Sequence, residues 1–157
     1  MLQVSSLVSC RKTREFMSRG KLVRGPKEPV DDKLKAFYDR LLSILSRPAV
    51  RDGQWQLLEC SPAWDGNWTD DCFLVFAWHG PKVEAVLVAV NYAPNSSQCH
   101  VRLPFAKLGG RKWQLRDQLS AARYDWNGND LLGRGLFLDM APWQACVFLI
   151  EENGTSN

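Results

Sequence analysis

Two short stretches of this chain hold side chains suited to recognising a sugar. Trp64-Asp65-Gly66-Asn67-Trp68 sets two indoles around a carboxylate and an amide, and Trp126-Asn127-Gly128-Asn129 offers a second such group. A pyranose ring stacks its apolar face on an exposed aromatic ring, and amides and carboxylates at the ring's edge fix the hydroxyls. Trp64, Asp65, Asn67, Trp68, Trp126 and Asn127 are therefore the candidate carbohydrate-binding residues. The competing expectation is that the indoles fold back over the domain edge and bond their N–H groups to backbone. Trp55, Trp78 and Trp113 lie inside apolar runs and are expected in or near the core; Trp143, after Pro142, fits either role.

Other chemistries find less support. Glycoside hydrolysis needs two carboxylates flanking a cleft, about 5–10 Å apart. Asp65, Asp70 and Asp71 cluster near Glu59, but in a stretch rich in Gly, Asn and Pro, where carboxylates cap turns and stay solvated. No Gly-x-Ser-x-Gly elbow is present, and Cys99 and His100 are adjacent, so on a strand they point to opposite faces. No catalytic residue is assigned. The five cysteines (Cys10, Cys60, Cys72, Cys99, Cys146) include no Cys-x-x-Cys pair, and only His79 and His100 could add imidazole, so no structural zinc is expected. Asp125-x-Asn127-x-Asn129 opens like a calcium loop. Asp130 stands where that loop needs glycine, however, and Leu136 where it needs the bidentate glutamate; a hairpin turn on Asn127-Gly128 is the simpler expectation. Leu-Gly-Gly at 108–110 and Gly-Arg-Gly at 133–135 lack the Lys-Ser/Thr of a phosphate loop. No metal and no cofactor is implied.

What elements would hold these residues? Residues 32–46 carry Leu34, Phe37, Tyr38, Leu41, Leu42 and Leu45 at helical spacing, after a capping Asp31 or Asp32 and before Pro48. One amphipathic helix is expected there, its Leu34/Phe37/Leu41/Leu45 stripe docked on the rest of the domain. Beyond Val50 short apolar or alternating runs recur at 54–60, 72–78, 85–92, 98–103, 112–118, 121–125, 136–140 and 144–150, separated by turn residues. That texture predicts a mainly β fold, an antiparallel Greek-key β-sandwich with one N-terminal amphipathic helix. Residues 72–78 and 85–90 are apolar on both faces and should be central strands, whereas Val101/Leu103 and Trp113/Leu115 alternate with polar residues.

The charge is unevenly spread. Residues 1–30 hold seven basic groups against two acidic ones; the remaining 127 residues hold 13 against 15. The expected organisation is a basic arm at 1–30, the helix at 31–47, the β-sandwich at 48–151 and a tail at 152–157. Basic arms can bind nucleic acid or anionic membrane, but here the positives are spread out without an apolar stripe, so neither partner is expected. Leu7-Val8-Ser9-Cys10 looks like a lipoprotein cleavage box but lacks the preceding basic residues and apolar run. Together with cysteines placed as small hydrophobes, this gives a cytoplasmic expectation.

Residues 29–148 resemble the C-terminal end of bacterial α-amylase-family glycoside hydrolases. The marks are Pro-Val-Asp-Asp-Lys-Leu-Lys-Ala-Phe-Tyr-Asp-Arg-Leu-Leu at 29–42, Leu-Leu-Glu-Cys at 57–60, Trp-Asp-Gly-Asn-Trp-Thr at 64–69 and Phe-Ala-Trp at 76–78. They continue with Leu-Val-Ala-Val-Asn-Tyr-Ala-Pro-Asn-Ser-Ser-Gln-Cys at 87–99, Val-Arg-Leu-Pro-Phe at 101–105, Tyr-Asp at 124–125, Arg-Gly-Leu-Phe-Leu-Asp at 134–139 and Pro-Trp at 142–143. In that family a catalytic α/β barrel precedes a Greek-key β domain. The resemblance implies that the helix matches the last barrel helix and that 54–150 match the β domain. The strands bearing the family's catalytic acids have no counterpart in this sequence. The implied role is non-catalytic: an accessory domain, structural or polysaccharide-associating. The implied partners are α-glucan such as starch or glycogen, and either a catalytic barrel or a second copy against the surface that would meet the barrel. A freestanding α-glucan-binding module and a basic-arm adaptor are the alternatives.

Overall fold

The computed structural model describes residues 29–80, 85–105 and 107–153. The chain divides into two units, Met1–Asp32 and Lys33–Asn157, and the strands and sheets below all belong to the second. The basic arm falls almost wholly outside the described residues.

Alternation of apolar and polar side chains makes strands with one face to bury, and among the described residues nine form: β1 (Gln54–Leu58), β2 (Cys60–Pro62), β3 (Phe73–His79), β4 (Ala85–Asn91), β5 (Ser97–Val101), β6 (Lys112–Asp117), β7 (Arg123–Asn127), β8 (Leu136–Met140) and β9 (Ala145–Glu152). They build two antiparallel sheets, one of six strands in the order β1-β3-β4-β9-β6-β7 and one of three in the order β2-β5-β8. The run expected at 54–60 is two strands. It breaks at Glu59, where the chain leaves the large sheet for the small one. Between the sheets lie Val75, Leu87, Ala89, Cys99, Val101, Leu115, Leu136 and Ile150, all nearly or fully buried. β3 and β4 are interior strands, as their two-sided apolar character requires.

The outer face of the large sheet is apolar at β4 and β9, and something must cover it. Helix α1 (Asp32–Leu45) and the short α2 (Pro48–Arg51) do so: Ile44 and Ala49 pack with Val86, Val147 and Leu149, with Leu41 and Val50 at the margin. The Arg40 guanidinium donates to the Leu119 carbonyl at 3.1 Å and pins the helix beside the turn after β6. The expected docking stripe is corrected by this arrangement. Leu34, Phe37 and Leu45 are about half exposed, as are Tyr38 and Leu42. Only the C-terminal part of α1 reaches the sheet, and it presents Ile44, which lies outside the expected stripe, in place of Leu45. The uncovered strip of β4 and β9 is short, and α2 occupies the rest of it.

Two further expectations change. Trp55 is exposed on the outer face of β1, although Trp113 is buried and Trp78 half-buried as anticipated. Asn127-Gly128 does not turn a hairpin. β7 and β8 lie in different sheets, and Asn127 instead caps the short helix α3 (Gly128–Gly133), its Oδ1 accepting from Asn129 N–H at 2.9 Å. Glycine is required at 128 for space, because a Cβ there would overlap the Leu108 carbonyl.

Candidate functional site

The antiparallel register defines two ends of the sandwich. At one end β3 starts, β4 finishes and β9 starts, since Phe73 pairs with Asn91 and Val90 with Ala145. At the other, β9 finishes beside the start of β6, since Trp113 pairs with Glu152. The 64–68 loop leads through a 3-10 turn (Asp70–Cys72) into the start of β3 and belongs to the first end. Trp126 and Asn127 pair with Trp113 and Lys112 and belong to the second. β3 is also far across the sheet order from β7. The two sugar-binding candidates therefore do not form one site.

The loop at 63–69 is held by its polar residues and presents its aromatic ones. Asn67 N–H donates to the Trp64 carbonyl at 3.0 Å, closing a turn in which Gly66 takes a φ of 85° that disfavours any side chain. Asn67 is buried, and its Oδ1 accepts from the Thr69 backbone N–H at 2.8 Å and lies 2.7 Å from Thr69 Oγ1. Thr69 Oγ1 accepts from Gln98 N–H at 2.8 Å, which ties the loop to β5. Trp68, between these two anchored residues, is 81% exposed, and Trp64 is 55% exposed. Asp65 is exposed at the tip. Of the candidate residues here, Trp64, Asp65 and Trp68 face solvent, whereas Asn67 spends its acceptor inside the loop.

Neighbouring loops at the same end add aromatics that sequence reasoning missed or left open. Asn91, fully buried, donates from Nδ2 to the carbonyls of Asn95 (2.8 Å), Met140 (3.2 Å) and Ala141 (2.9 Å), and accepts from Ala93 N–H. It joins the loop at 92–96 to the turn at 141–144. That turn is closed by Gln144 N–H on the Ala141 carbonyl, with Pro142 second and Trp143 third. Trp143 has φ 57°, a conformation that a turn of this kind normally gives to glycine or asparagine. It is nevertheless 66% exposed, and its N–H donates to the Ala93 carbonyl at 3.2 Å. Tyr92 links the two groups: its N–H donates to the Cys72 carbonyl, its hydroxyl to the Asp71 carbonyl, and its ring is half exposed. Trp64, Trp68, Tyr92 and Trp143 thus stand on loops bonded to one another at one end of the sandwich.

No family model matches the sequence, and no curated protein matches it. Solved structures similar to this chain include a mutant trehalulose synthase, MutB, in complex with Tris (18% identity over 74% of this chain and 18% of that one, TM-score 0.43). Others are an inactive MutB double mutant in complex with isomaltulose (19% identity, 74% of this chain and 17% of that one, TM-score 0.43) and the galactosidase domain of the α-galactosidase–sucrose kinase AgaSK (15%, 79% and 16%, TM-score 0.49). This chain spans less than a fifth of the length of each of them. Likeness at this level assigns no activity, and the functional reading rests on the residues.

Two clefts among the described residues are lined by candidate residues. One, of about 350 Å³, is lined by Glu59, Cys60, Asp70, Asp71, Phe73 and Leu74, among others. It gathers three of the four carboxylates that the sequence clusters, without Asp65. The proton-donating acid of a glycosidase is kept protonated by an apolar enclosure, whereas Glu59 and Asp71 are solvent-exposed. The second cleft, of about 220 Å³, opens between the sheets beside β7 and β8 and is lined by Tyr124, Trp126, Phe137 and Met140 among others. Trp126 is half-buried against the core there, so its indole serves as a wall more than as an open platform. Among the described residues no group of three or more His, Cys, Asp or Glu is placed to hold a metal ion.

Proposed function

We propose that this chain is a non-catalytic accessory domain of an α-amylase-like glycosidase, and that it associates with α-glucan through the aromatic residues at one end of its sandwich. The observation that carries the reading is Trp68: an indole 81% exposed, held between a buried Asn67 and a Thr69 bonded to the next sheet. Leaving so large an apolar surface in water, on a loop fixed in place, is what a stacking platform requires. The resemblance of residues 29–148 to the β domain of that family supplies the class of polymer. Trp64 on the same loop, with Tyr92 and Trp143 on the adjoining ones, supplies further stacking surfaces, and Asp65 a hydroxyl acceptor.

Single stacking contacts are weak, so short maltooligosaccharides should bind only in the micromolar to millimolar range, about −4 to −8 kcal/mol. A polymer that engages several aromatics should bind more tightly. Affinity electrophoresis in gels containing soluble starch or glycogen tests this. The wild-type chain should be retarded, and Trp68→Ala should migrate as in a plain gel while keeping its circular dichroism. Unretarded wild type on every α-glucan refutes the binding role and leaves the structural one. Hydrolysis of starch that survives purification and vanishes on replacing Glu59 or Asp71 refutes the non-catalytic reading.

The structural role has its own support in the outer face of β1 and β3. Trp55, Leu57 and Leu74 are about half exposed there, beside Phe76. In a glycosidase this is a surface for the catalytic barrel to cover, and in the isolated chain for a second copy.

A further inference from the structure

β2 is the edge of the small sheet, and its register with β5 sets Cys60 opposite Val101 and Pro62 opposite Cys99. Cys60 and Cys99 are therefore diagonal neighbours on the inward face. The register places the two side chains beside one another across the strands, within reach of each other. They differ in access. Cys99 is 0% exposed, whereas Cys60 is partly exposed and lines the 350 Å³ cleft. One accessible thiol with a second, sheltered thiol diagonally across from it is the arrangement of an attacking and a resolving cysteine.

We propose that Cys60 is an oxidation site for small uncharged hydroperoxides, with Cys99 resolving the product into a reversible Cys60–Cys99 disulfide. In the first step the Cys60 thiolate attacks the peroxide. The O–O bond breaks, two electrons pass from sulfur to the peroxide, the leaving oxygen takes a proton as water or alcohol, and Cys60 becomes a sulfenic acid. In the second, the Cys99 sulfur displaces the sulfenic oxygen. The S–S bond forms, and that oxygen leaves as water with the Cys99 proton.

Three features favour this chemistry. The neighbouring Cys99 thiol holds the Cys60 thiol below its ordinary range against opposition from burial and from Asp70. A lowered pKa at the more accessible sulfur favours attack from Cys60 over Cys99. The carboxylates of Glu59, Asp70 and Asp71 around the cleft repel anionic oxidants such as glutathione disulfide and admit neutral peroxide. Diagonal cross-strand residues lie roughly 7–8 Å apart, beyond the roughly 5.5–6 Å span most disulfides prefer, so β2 must move inward to close the bond. A three-residue edge strand can make that shift, and the resulting strain makes the disulfide easy to reduce.

The test treats the whole chain, natively folded, with one equivalent of hydrogen peroxide, followed by thiol blocking and peptide mapping. The expected result is loss of two thiols and a single Cys60–Cys99 linkage that dithiothreitol reverses, with Cys72 and Cys146 still reduced. The rate should rise with pH from a lower onset than alkylation of Cys146, whose thiol burial and Asp117 push up. Cys99→Ala should leave a Cys60 sulfenic acid that a dimedone reagent traps, and Cys60→Ser should leave Cys99 reduced. The wild-type map stands even if a variant misfolds. Oxidation confined to other cysteines, a Cys60 that stays reduced while Cys72 reacts, or faster reaction with glutathione disulfide than with peroxide overturns the proposal.

Discussion

Asn91 does more for the aromatic end than any indole in it. Its buried side chain donates to the carbonyls of Asn95, Met140 and Ala141, of which the Met140 contact is fully buried, so Asn91→Ala strands that acceptor and unties two loops. A buried acceptor costs about 1–3 kcal/mol when left unpaired. Chemical denaturation should therefore show a loss of at least ~2 kcal/mol, and a change below ~0.5 kcal/mol would mean the loop does not depend on it. Trp143 makes the opposite case. Relief of its left-handed backbone by Trp143→Gly is worth ~1–2 kcal/mol, offset in part by the chain entropy glycine brings to the unfolded state. Stability should stay within ~1 kcal/mol while retardation by glycogen falls. Equal retardation with a gain in stability would show the exposed indole to be strain without use. Sequence could single out Trp64 and Trp68 as candidates because residue type and spacing carry that information, and both prove exposed. It could not separate Asn67, which holds the loop, from Asp65, which faces solvent, because an amide's role depends on which backbone groups the fold brings to it.

At the scale of elements, apolar periodicity located the strands of the two sheets apart from β2, most of which lies beyond the run expected at 54–60, since a period of two records which face is buried whatever the partner. Its limits show where one run serves two sheets, as at Glu59, and where an element's partner must be known, as in α1. The apolar residues of α1 have helical spacing, yet the surface available to them within this unit is the narrow strip around Val86, Val147 and Leu149. Burying one such side chain is worth about 1.5–3 kcal/mol. Ile44→Asp should accordingly cost the domain ~3 kcal/mol or more in urea unfolding, with a charge placed against the sheet. Phe37→Asp, on the exposed part of the same helix, should change it by less than ~0.5 kcal/mol. Equal losses at both positions would show that α1 docks along its whole length.

For the molecule as a whole, the aromatics at one end and the apolar outer face of β1 and β3 are separate surfaces, and they call for different partners. The aromatic end mixes indoles with Asp65 and other polar groups, the combination on which the proposed glucan binding rests. The outer face offers Trp55, Leu57 and Leu74 in a row beside Phe76, on a sheet whose first strand has a neighbour on one side only. An edge strand keeps unpaired N–H and C=O groups, and with apolar side chains beside it is a template for another strand. Without a barrel to cover it, this face should pair with a second copy of the chain. Sedimentation velocity over a hundredfold range of concentration should show a reversible shift from monomer to dimer, and Leu57→Lys should abolish the shift, because it sets like charges against each other across a two-fold axis. The same variant should retain full retardation on starch, since the aromatic end is untouched. A wild-type chain monomeric throughout removes self-association. Loss of starch retardation in Leu57→Lys would mean that glucan is held by the dimer and not by the loop at 64–68.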